Sequence, residues 1–222
     1  MNDELIQVTE LSKQYKVGYQ TVDALKNVNL EISQGQFVSI MGKSGSGKST
    51  LLHLLGGLDR PTTGSVWIDG QVISALPEAK LSLFRRKNLG FVFQFFNLIP
   101  ELNLKENIIF PALLEQKNYD IQYFNELCDA LEISDRLRHL PDQVSGGQQQ
   151  RAAIARALIL KPRAIFLDEP TGNLDDASSR SVLGLLRELT NRWRQTIVMV
   201  THDSDAAACA DRIIELKDGK VQ

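Results

Sequence analysis

Two cysteines in 222 residues are too few for a disulfide framework. Cys128 and Cys209 lie in apolar helical patterns without metal-ligand spacing, so both read as reduced core residues. No run approaches the roughly 18 uncharged apolar residues that a membrane span needs. The opening MNDELIQVTE has no apolar signal core. The expectation is a cytosolic chain whose membrane role, if it has one, comes through a partner. Neither sign of charge dominates, with 25 Lys and Arg against 27 Asp and Glu, a net charge of −2 and a pI near 6.0. That argues against a dominating attraction to nucleic acid or anionic lipid, though it leaves room for a local basic patch, and no nucleic-acid partner is expected. Repeats, low-complexity tracts and linkers are also absent. What remains is an ordinary globular composition, 43% hydrophobic, long enough for one large domain or a core with a subdomain.

Short runs that alternate apolar and polar residues fill the opening third: LIQVTEL, NVNLEI, QFVSIM and GSVWIDGQVI. They read as strands, with breaks at Gly35, Gly64 and Gly70. STLLHLLGGLDRP reads as a helix ending at Gly56-Gly57. In the middle, Phe124, Leu127, Cys128 and Leu131 fall at i, i+3, i+4 and i+7, one face of an amphipathic helix. QQQRAAIARALIL is a second helix, stopped before Pro162. A mainly helical insertion is therefore expected from about 89 to 160. The last third returns to alternating strands and helices: AIFLD, SVLGLLREL, TIVMVTH, DAAACA and a closing hairpin, RIIELKDGKV. Such alternation implies a largely parallel sheet covered on both faces.

The strand FVSIM runs into GKSGSGKST, residues Gly42, Lys43, Ser44, Gly45, Ser46, Gly47, Lys48, Ser49 and Thr50, and then a helix. This is the context a phosphate loop requires. The glycines let backbone N–H groups turn around a triphosphate, and the helix adds its positive end. Lys48 suits the β- and γ-phosphates, and the Ser49 hydroxyl suits Mg²⁺. The strand AIFLDE ends in two carboxylates, which belong beside that loop because sites in such sheets lie at the carboxyl ends of strands. Asp168 then suits the Mg²⁺ shell, and Glu169 suits the base or orienter of an attacking water. A second Gly-rich helix start, VSGGQQQR, stands about a hundred residues after the first. Taken alone, Gln94, His202 and Tyr15 carry weak signals: a bland Gln, a polar strand end and an edge-strand aromatic.

Together, Tyr15, GKSGSGKST, Gln94, VSGGQ, AIFLDE, the NLD at Asn173 to Asp175, and His202 resemble the ATP-binding cassette (ABC) ATPase family across essentially the whole chain. The resemblance implies an α/β fold: a P-loop NTPase (RecA-like) core with an N-terminal antiparallel β subdomain and an inserted helical subdomain. Residues 1–222 would form one nucleotide-binding domain, about 1–88 and 161–222 making the ATP-binding core and about 89–160 the helical part. It also implies a head-to-tail homodimer with two ATPs trapped between subunits. Ser145, Gly146, Gly147 and Gln148 would then serve the ATP held on the other subunit's phosphate loop, and Asp175 would cross the interface. Tyr15 would stack on adenine. Gln94 would sense Mg²⁺ and the attacking water while its loop touches a membrane partner. His202 would hold the γ-phosphate and water in line with Glu169. Two positions are unusual: Val144 opens the signature where Leu is common, and Lys43 adds a charge within the loop.

The apolar stretch Phe95 to Pro100 reads as loop, too apolar for free solvent. It either folds back onto the helical part or helps form a groove for a short cytoplasmic helix of a permease-type membrane subunit. LLHLLGGLDRPTTG, GFVFQFFNLIP, DEPTGNLD and the lengthening around KVGYQTV resemble the lipoprotein-release and macrolide/peptide-export branch. That implies an ATPase peripheral to the cytoplasmic face of the membrane. The alternatives are an amino-acid importer ATPase, a soluble ABC ATPase without a membrane partner, and a module that binds ATP without useful hydrolysis.

Overall fold

The computed structural model describes residues 4–115 and 118–222. A long hairpin opens the chain: β1 (Glu4–Val17) and β2 (Gln20–Ser33) run antiparallel for 14 residues each. They turn at Gly18, where φ is +61° and a side chain would be strained. β4 (Thr63–Ile68) pairs with β1, and β5 (Gln71–Val72) pairs with β4, giving a four-stranded antiparallel sheet. Its register follows the apolar alternation: Ile6 lies between Ile32 and Ile68, and Val8 between Leu30 and Val66. Gly64 is inside β4 rather than at a break. A Cβ there would stand 2.4 Å from the Glu10 carbonyl oxygen, where β1 bulges, so the glycine serves strand contact and not a turn.

The second sheet has the order β10-β9-β3-β8-β7-β6, made by β3 (Phe37–Met41), β6 (Leu89–Val92), β7 (Ala164–Asp168), β8 (Thr196–Val200), β9 (Arg212–Lys217) and β10 (Lys220–Val221). All neighbours are parallel except the closing β9–β10 hairpin. The inner strands β3, β7 and β8 and the neighbouring β6 are largely apolar because both faces are covered, and their period of two divides the core. Val38, Ile40, Phe166, Val198 and Val200 pack with the hairpin sheet and α1 (Lys48–Leu55). Phe37, Ile165, Leu167, Ile197 and Met199 pack with α4 (Ile121–Ala130), α5 (Gly146–Leu158) and α6 (Asp176–Trp193).

Helix starts follow the capping chemistry of the sequence. Asn103 and Glu106 form a capping box at α3 (Leu104–Leu114), Ser145 and Gln148 do so at α5, and Asp120 and Asp175 cap α4 and α6. The amphipathic face of Phe124, Leu127, Cys128 and Leu131 is buried as its spacing requires.

Three details depart from the sequence reading. β6 belongs to the six-stranded sheet, so the helical layer begins after Val92 and not at 89. α2 (Glu78–Asn88) carries no helical signal in the sequence because its one fully buried apolar side chain, Leu81, leaves no stripe. Cys209 is half-buried at the end of α7 (Ser204–Ala208), its thiol against the Asp205 carbonyl, packed at the border of the core and not inside it.

Candidate functional site

At the carboxyl ends of β3, β7 and β8 lies a cleft of about 620 Å³. Its floor is the loop from β3 to α1. Gly47, φ +103°, caps α1, and any side chain there would meet the Ala24 carbonyl oxygen at 2.4 Å. Gly42 is equally confined, 2.2 Å from the Leu216 carbonyl oxygen by the same measure. Two backbones crowd this loop, so glycine is a steric requirement as well as a source of free N–H groups. Lys48 is buried, and its ammonium donates to the carbonyls of Gly42 at 2.8 Å and Lys43 at 3.1 Å. A buried cation whose hydrogen bonds go to carbonyl dipoles retains a strong attraction for an anion brought into the loop.

The wall opposite carries the acids. The Ser49 hydroxyl donates to Asp168 Oδ1 at 3.3 Å, and His53 Nε2 lies 4.0 Å from Asp168 Oδ2. Burial pushes the Asp168 carboxyl above the ordinary carboxylate value, against the opposing pull of His53, Ser49 and Lys48. Glu169 follows β7 with φ +48°, a left-handed turn fixed by its N–H donating to the Val200 carbonyl at 3.0 Å. Such a conformation costs a non-glycine residue about 1–2 kcal/mol. It aims Glu169 Oε1 at His202 Nδ1, 2.9 Å away. The pair stands beside the phosphate loop, with both residues lining the cleft.

At the other end, Tyr15 lines the cleft from β1, and its cross-strand neighbour Val22 lines it from β2. The Tyr15 hydroxyl donates to Asp59 Oδ2 at 2.7 Å. Its pKa is raised, first by burial and then by Asp59, with Thr50 opposing.

The structure thus gathers Tyr15, Ser44, Gly45, Gly47, Lys48, Ser49, Thr50, Glu169 and His202 around one cleft. It does not bring Ser145, Gly146, Gly147, Gln148 or Asp175 there. In the α5 capping box Gln148 N donates to Ser145 Oγ at 3.3 Å, and Ser145 N donates to Gln148 Oε1 at 3.0 Å. This helix start leans on the segment that leads into α6: Gly147 faces Ser178, and Gly146 faces Leu174. Asp175 caps α6 through Ser178, at 2.9 Å to its N–H and 2.7 Å to its hydroxyl, which holds the carboxyl below its ordinary value. Gln94 lies between these regions. Its carbonyl accepts from Asn173 Nδ2 at 2.9 Å, and its side chain sits against Gly172. Lys43 is exposed within the loop.

Sequence reasoning missed Asp59, Lys13, His53 and the Val22–Ala24 lining of β2. His53 and Asp59 lie within LLHLLGGLDRPTTG, but nothing local there marks their side chains as part of the site, and nothing local marks Lys13 or Val22–Ala24 either. The apolar loop divides. Phe96 and Leu98 pack onto the helical core, while Phe95 is 71% exposed. Arg156 holds the loop by donating to the carbonyls of Phe96 at 2.9 Å and Asn97 at 2.6 Å.

Comparison with known proteins gives a consistent picture. A family model described as ABC transporter matches residues 25–172. The chain is 45% identical over 219 residues to the lipoprotein-releasing system ATP-binding protein LolD of Syntrophotalea carbinolica, covering 98% of this chain and 96% of that one. Over 218 residues it is 42% identical to the macrolide export ATP-binding/permease protein MacB of Bdellovibrio bacteriovorus, covering 98% of this chain but only 33% of that longer protein. The dimeric structure of a post-hydrolysis state of the ATP-binding cassette MJ0796, bound to ADP and Pi, matches with a TM-score of 0.87 and 43% identity, covering 98% of this chain and 97% of that one.

Proposed function

This chain belongs to the ABC transporter family as an ATP-binding ATPase cassette, and on that premise we propose that it powers a membrane partner through ATP-driven, head-to-tail homodimerisation. One observation carries the dimer reading. The cleft holds the phosphate loop and the Glu169–His202 pair, but the second glycine-rich helix start lies outside it. A second chain supplying its Ser145–Gln148 helix start to each cleft would complete two equivalent sites. Asp175 adjoins the same helix start and would enter the interface with it. The dimeric form of the MJ0796 cassette supports this reading. Anionic phosphates would then be neutralised from both sides only in the closed dimer.

In the proposed reaction Glu169 takes the proton of the attacking water. His202, hydrogen-bonded to Glu169 through Nδ1, presents its other ring nitrogen to the γ-phosphate. Lys48 exchanges its loop carbonyls for phosphate oxygens. The hard oxygen donors Ser49 and Asp168, 3.3 Å apart, suit Mg²⁺, with Gln94 as a third ligand. Bound there, the ion would neutralise charge on the β- and γ-phosphates.

No helix among the described residues is long and apolar enough to cross a membrane. We place the chain at the cytoplasmic face through its partner, a permease-type subunit met by the Gln94 loop and Phe95 to Pro100. The names of the LolD and MacB relatives support the lipoprotein-release or export class over import. Phe95 is the side chain to change when testing that contact, because Phe96 is committed to the core. A tagged Glu169→Gln chain, trapped with ATP and Mg²⁺ in detergent-solubilised native membranes, should co-purify a membrane protein with few spans and a large outer domain. Phe95→Asp in the same background should lose it. A many-span permease with a binding protein would move the assignment to import. Recovery of soluble partners alone would refute the membrane role.

A further inference from the structure

Asp59 lies in the turn after α1, outside every motif of the phosphate site, yet it is the hub of a latch beneath Tyr15. Its Oδ2 accepts from the Tyr15 hydroxyl at 2.7 Å, and its Oδ1 accepts from Lys13 Nζ at 2.7 Å and from the Arg60 N–H at 2.6 Å. Lys13 also donates to the Arg60 carbonyl at 2.6 Å, and Gln14 N donates to Thr62 Oγ1 at 2.9 Å. The turn from 59 to 62 is thereby stitched to β1. Lys13 and Tyr15 are two residues apart on that strand and so share a face. The Lys13 ammonium stands 4.8 Å from the centre of the Tyr15 ring. One face of the ring is therefore covered by a cation, and the hydroxyl is pinned by a carboxylate. The ring retains one orientation and one free face.

We propose that Asp59 is a positioning residue for nucleotide binding: paired with Lys13, it holds the Tyr15 ring in the orientation that receives the base. The proposal rests on the reading of Tyr15 as the base platform. A side chain that stacks must otherwise surrender its rotamer freedom when the nucleotide binds, and prior fixation removes that cost from the binding step. The competing role is a brace between β1 and the turn, which would affect stability without regard to the base. The two differ in what they do to a ligand that lacks a base. Inorganic tripolyphosphate reaches only the phosphate loop, whereas ATP reaches both ends of the cleft.

The test measures ATP affinity, tripolyphosphate competition and kcat at saturating ATP for the purified full chain and its variants. Truncating an aromatic base platform lowers affinity by about fivefold or more, so Tyr15→Ala sets that scale. Asp59→Ala should weaken ATP by a comparable factor while leaving tripolyphosphate affinity and kcat unchanged. Asp59→Asn, which keeps one acceptor for the Tyr15 hydroxyl but loses the charge paired with Lys13, should recover part of the loss. Tyr15→Phe removes the same hydrogen bond from the other side, so its effect should not add to that of Asp59→Ala in the double variant. It also keeps the proposal testable if Asp59→Ala fails to fold. Unchanged ATP affinity in Asp59→Ala, with a loss in Tyr15→Ala, overturns the role of Asp59 and leaves the platform standing. Equal weakening of ATP and tripolyphosphate assigns Asp59 to the fold and overturns the proposal as well. Unchanged ATP affinity in Tyr15→Ala removes the platform reading itself.

Discussion

Replacing Glu169 by Gln separates chemistry from binding at this site. The two side chains have the same shape, and each can adopt the left-handed backbone that residue 169 occupies at φ +48°, so the fold is retained. The amide oxygen can still accept from His202 Nδ1, now 2.9 Å from the carboxylate. Lys48 and the loop from Gly42 to Thr50 are untouched, and ATP affinity should stay close to that of the parent. The charge balance shifts slightly in favour of the variant. Glu169 repels Asp168 and helps raise its pKa, so its neutralisation eases a carboxylate already disfavoured by burial. On the proposed mechanism, what the variant loses is the base. A positioned proton acceptor contributes about 10²- to 10⁴-fold to rate, so steady-state phosphate release should fall by about that factor. At about 1.36 kcal/mol per decade this is about 3–5 kcal/mol of barrier. The closed dimer should persist in gel filtration because its ATP is not consumed. Turnover within about tenfold of the parent would remove Glu169 from the role of base. Loss of ATP binding would show that the residue acts in the ground state instead.

Three further outcomes follow from the geometry. A Cβ at Gly90 would lie 2.5 Å from the Ala157 carbonyl oxygen and 2.9 Å from Ile165 Cγ2, so Gly90→Ala should cost about 2 kcal/mol or more, read as a lowered urea midpoint. Asp168 has a folded pKa raised by burial, so the stability linked to its protonated form is present below the ordinary carboxylate pKa and lost as pH rises through the folded value. Asp168→Asn should therefore raise the melting temperature at neutral pH in metal-free buffer, but not under acid conditions, and a lowered neutral-pH melting temperature would contradict the assignment. The Cys128 thiol is fully buried and pushed up to about 12, whereas Cys209 is half-buried. A thiol reagent at mildly alkaline pH should modify Cys209 in the native chain and reach Cys128 only after unfolding.

The chemistry of this protein was legible wherever a short stretch has to satisfy backbone geometry and ligand together. The loop from Gly42 to Thr50 is of that kind, since Gly47 and Gly42 are demanded by the carbonyls of Ala24 and Leu216, and the proposed triphosphate would make a second demand on the same residues. The Ser145–Gln148 helix start and the strand AIFLD ahead of its two acids are also local patterns, and the structure has a capped helix and a strand at those places. The alternation that divides the core between two faces of the sheet is likewise written residue by residue. Tertiary structure decided what meets across distance. No local pattern announces that Asp59 receives Tyr15 and Lys13, 44 and 46 residues away in sequence, or that Glu169 takes a left-handed backbone to reach His202, 33 residues on. Nor does it announce that the second glycine-rich helix start lies outside the chain's own cleft. Periodicity and capping act over one turn or one strand, so a sequence displays them openly. Convergence of side chains from separate elements depends on how those elements pack, and only the folded chain sets it.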